Sequence, residues 1–129
     1  MAKPANKGAT ATAYPTAPRP GTLDLQFYNA RQFPSAWRGG AFVALHGALG
    51  PALPDGRAGY TVVFVPFDRY GHIGAMSVFA DGFAGPSQAS KNAATAKYRP
   101  VGLAVAPDGA LYVADSNVGR IWRIAYDDN

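Results

Sequence analysis

Leu23, Leu25 and Phe27 alternate with Thr22, Asp24 and Gln26, a period of two that predicts a half-buried strand over residues 22–28. Ala41 to His46 is apolar and strand-length. Tyr60 to Phe67 carries Val62, Val63, Phe64 and Val65, the β-branched and aromatic types that fit a pleated surface. Pro66 places the end of that strand at an edge or bulge, because proline has no ladder donor. After a turn over Asp68 to Gly74, Ala75 to Ala80 is a fourth strand. These four segments form one meander.

A second meander begins beyond residue 99. Val101 to Ala106 and Leu111 to Asp115 are apolar runs joined through Pro107-Asp108-Gly109, a hairpin signal. Arg120 to Tyr126 follows Asn117-Val118-Gly119 as its third strand. The resulting organisation is a first blade over 22–83, a connecting loop over 84–98, three strands over 99–126 and a tail over 127–129. Residues 84–96 are small and polar and read as loop, with only weak helical propensity over 89–96. Residues 1–21, with Lys3, Lys7 and four prolines but no hydrophobic period, read as an extended or flexible arm. An alternative gives residues 10–22 to a missing outer strand.

The fold class is therefore all-β. Radially repeated four-stranded meanders make propeller blades, and this chain supplies about 1.75 of them, too few to close a ring. Closure requires a longer chain, further copies, or the arm.

Composition agrees with a turn-rich β fold: 129 residues, 48% apolar, with 15 Gly and 11 Pro. The charged fraction of 16% is low for an exposed surface, which predicts that some of the surface is covered by a partner. Net charge is +4, but the basic residues do not cluster in the body or interleave with aromatics, which argues against nucleic acid. There is no cysteine, so thiolate and disulfide chemistry are excluded. No signal-peptide or membrane-insertion run is present in the sequence.

Several blocks resemble the C-terminal part of L-sorbosone dehydrogenase-like proteins, relatives of the soluble quinoprotein glucose dehydrogenases. They are Phe33-Pro34, Trp37-Arg38-Gly39-Gly40-Ala41-Phe42-Val43-Ala44-Leu45-His46-Gly47, Gly59-Tyr60-Thr61-Val62-Val63-Phe64-Val65-Pro66-Phe67, Phe79-Ala80-Asp81-Gly82-Phe83 and Arg99-Pro100-Val101-Gly102-Leu103-Ala104-Val105-Ala106-Pro107-Asp108-Gly109. The resemblance implies a six-bladed β-propeller that binds pyrroloquinoline quinone with calcium and oxidises sugars or related aldehydes. It implies a periplasmic or secreted location, and a partner that is either further copies or a larger chain completing the ring. By motif match Lys97 and Arg99 fall where such proteins hold cofactor carboxylates, and His46 falls near a cofactor-facing basic position. Where many relatives carry Ser-Trp-Asn-Arg, this chain has Ala48-Leu49-Gly50-Pro51. The histidine base and most calcium ligands of such enzymes belong to earlier blades. The rival expectation is a non-catalytic propeller module, a structural or carbohydrate-binding subunit.

Read from the residues, Arg99 has a guanidinium suited to a planar carboxylate, or else closes the preceding loop by pairing with Asp115 or Asp81. Lys97 can add a point charge, and Tyr98 between them faces the other way if the segment is extended. His46 ends an apolar strand, either as an anion or proton-handling group or as a hydrogen-bonded rim histidine. Asp115 is expected to cap the Ser116-Asn117-Val118-Gly119 turn. His72 lies in a polar turn, and two distant histidines are not a metal-ligand set. Trp37, Phe42, Tyr60, Phe64, Phe79, Tyr112 and Trp122 are read as packing between blades. Gly39-Gly40 lacks the rest of a dinucleotide fingerprint.

Overall fold

The alternation over residues 22–28 becomes strand β1, Thr22–Tyr28, and six more strands follow in the computed structural model, which describes residues 21–47 and 59–127. They are β2 (Gly40–Leu45), β3 (Thr61–Pro66), β4 (Ser77–Ala80), β5 (Pro100–Val105), β6 (Leu111–Asp115) and β7 (Ile121–Ile124). The molecule is all-β: among the described residues the remaining regular structure is two single 3-10 turns, Ser35–Trp37 and Gln88–Ser90. The second turn lies where weak helical propensity begins. The expected arm over 1–21 and tail over 127–129 lie largely outside the described residues. Thr22 pairs with Leu45, so it belongs to β1 and is not part of any further outer strand.

The strands form two antiparallel sheets in simple meander order, β1-β2-β3-β4 and β5-β6-β7. They do not close a ring. In the first sheet Gln26, Phe42, Phe64 and Ser77 share one cross-strand row, while Leu25, Val43, Val63 and Val78 share a row on the opposite face. Both faces of the two central strands are apolar, which is why β2 and β3 read as continuous hydrophobic runs rather than alternating ones. Pro66, expected at an edge or bulge, is the last residue of an inner strand and sits opposite Gly40. Gly40 makes this possible, because a Cβ there would collide with the Val65 carbonyl oxygen.

One face of each sheet supplies the core between them. Tyr28, Phe42, Val62 and Phe64 from the first sheet meet Leu111 and Val113 from the second, with Leu103, Val105 and Trp122 packed around them. Phe42 is the centre: its ring lies 5.2 Å from Tyr28, 5.1 Å from Phe64 and 4.5 Å from Phe79, in edge-on or tilted geometry. Phe33 and Trp37 reach the same cluster from the loop after β1, and Arg38 closes that loop by donating to the carbonyls of Phe33 and Arg31. Tyr28 Oη donates to the Gly109 carbonyl at 2.7 Å, so the hairpin of the second sheet is tied to the first. The aromatics expected to pack between sheets therefore do so for Trp37, Phe42, Phe64, Phe79 and Trp122.

The outer surfaces remain apolar at their margins. Leu23, Leu25 and Phe27 of β1, Val78 of β4 and Ile121 of β7 are about half or more exposed. Phe42→Ala should destabilise the protein by about 3–5 kcal/mol, since a fully buried ring leaves a cavity that the stacked sheets cannot collapse. Gln26→Ala, in the same row but at the edge strand, should change stability by less than about 0.5 kcal/mol. Urea unfolding followed by tryptophan fluorescence measures both; equal effects would contradict this description of the core.

Candidate functional site

At one end of the stack the ends of β2 and β6 meet the start of β5. His46 follows β2, Arg99 precedes β5, and Ser116 follows β6. Each is brought there by strand pairing: Pro100 opposes Asp115 across β5 and β6. His46 is fixed from behind by its own amide, which donates to the Gly21 carbonyl at 2.8 Å.

Asp115 organises this end. It is 6% exposed and its carboxylate accepts the backbone N–H groups of Arg99, Asn117, Val118 and Gly119 at 2.6–3.0 Å. Desolvation pushes its pKa upward, but the amides of Arg99, Val118, Asn117 and Gly119 outweigh it and hold the carboxyl below its ordinary value. The expected turn cap is present, and it extends to Arg99 on the other side of the hairpin. Arg99 thus meets Asp115 through its amide, while its side chain turns to the first sheet.

There Arg99 Nε donates to the His46 carbonyl at 3.2 Å and Nη2 to the Gly47 carbonyl at 3.0 Å. The guanidinium also stands 5.5 Å from the centre of the Tyr60 ring. Tyr60 is fully buried and holds a left-handed backbone, φ 59°, which is rare for an aromatic residue. Its ring covers Gly47, whose own φ is 112° and where any Cβ would run into the Tyr60 ring. Burial raises the Tyr60 pKa, with Arg99 acting in the opposite sense. The phenol is therefore neutral near pH 7.

His46 is half-buried, and its Nε2 lies 2.8 Å from Ser116 Oγ. Burial, then the neighbouring Arg99 charge, lowers its pKa, and Asp115 partly restores it. The imidazole is accordingly neutral at neutral pH and shares one proton with the serine hydroxyl in either sense. Lys97 is exposed, with Nζ 5.4 Å from the Tyr98 ring. Tyr98 turns inward and packs on Trp122 at 4.9 Å, as expected for the alternate member of an extended run.

Of the three expected ligand-facing residues, His46 and Arg99 are in direct contact through the His46 carbonyl, and Lys97 is two residues away on the strand lead-in. Ser116, Tyr60 and Gly47 complete the cluster and were not singled out as site residues. The Ser116-Asn117-Val118-Gly119 turn marked the place of Ser116, but its pairing with His46 joins residues far apart in the chain. Asp81, the other carboxylate considered for Arg99, pairs instead with Lys91 Nζ at 3.0 Å. His72 bonds Asp68 at 2.9 Å within its own turn. Among the described residues no group of three or more His, Asp or Glu side chains is placed to hold a metal ion. The Ala48-Leu49-Gly50-Pro51 departure lies outside the described residues.

A family model described as TrAA12-like matches residues 6–127, and the chain belongs to that family. The match corrects the expected membership of the L-sorbosone dehydrogenase-like proteins and soluble quinoprotein glucose dehydrogenases. The blocks behind that expectation are short strands and tight turns, whose residue types are set by burial and hairpin geometry and so do not separate one β-meander family from another. No curated protein and no solved structure matches the chain.

Asp115→Asn should cost about 1–3 kcal/mol at pH 7, because four backbone donors lose a charged acceptor. The folded pKa of Asp115 lies below its unfolded value, so its contribution is full above that unfolded value, near pH 3.9, and fades as pH falls through the folded one. Urea unfolding across pH 7 to 3 should show the variant losing less stability on acidification than the parent. Parallel pH profiles would contradict the assigned role.

Proposed function

We propose that this chain is a segment of a β-propeller wall, about 1.75 blades of a larger ring, completed by further copies of itself or by a larger chain. Within that ring its His46–Arg99 end faces an anionic, carboxylate-bearing cofactor of the pyrroloquinoline quinone class. Two stacked four- and three-stranded meanders, with β5 packed against β1 and β2, support the blade reading. Exposed apolar side chains at Leu23, Leu25, Phe27, Val78 and Ile121 support further units on either side.

The observation that carries the ligand reading is the position of Arg99. It is braced by two carbonyls and an aromatic ring at the mouth of the stack, beside a histidine and two residues from an exposed lysine. A guanidinium fixed in this way is pre-organised to meet a planar carboxylate. The residues fit one such group: Arg99 and Lys97 supply positive charge, and neutral His46 with Ser116 supplies a hydrogen-bond donor and acceptor. They do not supply a calcium site among the described residues, so calcium ligands would come from the completing units. When bound, the quinone would supply the two-electron chemistry on a sugar-like hydroxyl or aldehyde. This chain's part is to hold cofactor charge and keep the imidazole neutral beside it.

A second reading has a specific observation in its favour. Arg99 Nε and Nη2 bond inside the chain, to the His46 and Gly47 carbonyls, as a purely structural tie would have them. On that reading the chain is a non-catalytic propeller module for assembly or carbohydrate.

Calorimetric titration of the assembled protein with pyrroloquinoline quinone and calcium separates the two. Saturable binding should appear, and Arg99→Ala should weaken it by about ten- to a hundredfold, the scale of one charge-assisted hydrogen bond. Absence of binding at about 100 μM cofactor, equivalent to less than about 6 kcal/mol, would remove the ligand reading and leave the structural module.

A further inference from the structure

Strands β1, β2 and β3 repeat as β5, β6 and β7, in the same register. Thr22 opposes Leu45 and Asp24 opposes Ala44, with a bulge between them in β1. Pro100 opposes Asp115 and Gly102 opposes Ala114, with the bulge at the same place in β5. On the other side Val43 with Val63 and Phe42 with Phe64 correspond to Val113 with Trp122 and Tyr112 with Arg123. The strand ends agree as well. His46 N–H donates to the Gly21 carbonyl at 2.8 Å, and Ser116 N–H donates to the Arg99 carbonyl at 3.1 Å.

Each open face of the stack therefore has a counterpart inside the molecule, where the Phe42 face of the first sheet packs on the Val113 face of the second. The outer face of the second sheet corresponds to the Phe42 face: Tyr112 stands for Phe42 and Ile121 for Val62. Arg123 stands for Phe64, with its charge already paired to Asp108. The outer face of the first sheet corresponds to the Val113 face, with Leu25 for Leu103 and Phe27 for Val105. At its centre Val43 is already covered, with Phe67 and Ile73 packed against its cluster. What stays open there is a ridge on β1, where Leu25 is 48% and Phe27 58% exposed. What stays open on the second sheet is a groove of about 380 Å³, lined by the small residues Gly102, Ala104 and Ala114 and by Tyr112 and Ile121.

We propose that the β1 ridge of one copy seats in the β5–β6 groove of a second copy, repeating between chains the sheet packing found within each. This rests on reading the chain as part of a larger wall. It selects a second copy as the neighbour, because one chain carries both halves of the same interface. The backbone polar groups agree. Inside the chain the Asp24 carboxylate accepts Leu25 N–H at 2.8 Å and, across the sheets, Leu103 N–H at 2.7 Å. Between copies the counterpart of Asp24 is Gly102, which has no side chain to accept with or to block the groove. The counterpart of Leu103 is Leu25, and its N–H enters the groove already held by Asp24. The contact is heterologous, ridge to groove, so each copy keeps one half free for the next.

Two exposed positions separate the halves. Leu25→Glu spoils the ridge and leaves the groove, while Ala104→Glu spoils the groove and leaves the ridge. In sedimentation equilibrium at up to about 100 μM chain the parent should self-associate. Each variant alone should associate at least about a hundredfold more weakly, because a carboxylate would be buried without a partner. An equimolar mixture should form a dimer of one copy of each variant and nothing larger, which also shows that both variants fold; urea unfolding of each checks this separately. Variants that associate as the parent does would overturn the proposal, and so would a mixture of folded variants that stays monomeric. A parent that is monomeric alone but co-purifies with a larger chain would overturn it while leaving the wall reading standing. A parent that is monomeric and brings no larger chain would overturn both.

Discussion

Arg99 spans the junction between the two sheets, and the geometry of the site follows from how it is held. Its amide is anchored to Asp115 in the second sheet, and its side chain holds the carbonyls of His46 and Gly47 in the first. A charged donor on carbonyls in a partly buried setting is stronger than a neutral one. The same contact keeps a cation beside His46, which contributes to its lowered pKa. Tyr60 over Gly47 completes the clamp, with a backbone conformation that only a tightly packed surrounding would hold.

Behind that junction the stack is held by aromatic packing rather than by charge. Phe42 lies at the middle, and rings from β1, β3, β4 and the loop after β1 close on it. The surface polar pairs are peripheral by comparison: the Arg123–Asp108 ion pair and the His72–Asp68 hydrogen bond are both exposed and are worth little in water. Lys91 with Asp81 differs, because the lysine side chain is buried while its partner reaches solvent. That pair pins the long connection between β4 and β5 at its middle.

Strand positions were legible because burial imposes its own period. Thr22 to Tyr28 alternates at an edge, Val62 to Val65 is apolar throughout at the centre, and both patterns are visible without coordinates. The Asp115 cap was legible for the same reason that turn residues are: an acid followed by Ser116, Asn117 and Gly119 has backbone amides within reach. What could not be read were the long-range partners. Nothing local in Gly59-Tyr60 announces a left-handed tyrosine pressed on Gly47, and nothing near His46 announces Ser116. Family membership is not legible in the blocks that resemble L-sorbosone dehydrogenase-like proteins, because sheet packing and hairpin turns dictate them in any case; the TrAA12-like match over residues 6–127 sets it.

The proposed function makes this two-sheet unit part of a larger propeller wall. Native mass spectrometry of the protein isolated from its source tests that claim most directly. It should record either a discrete oligomer of the 13.5 kDa chain or a stable complex with a larger chain. A folded, exclusively monomeric species at micromolar concentration would contradict it.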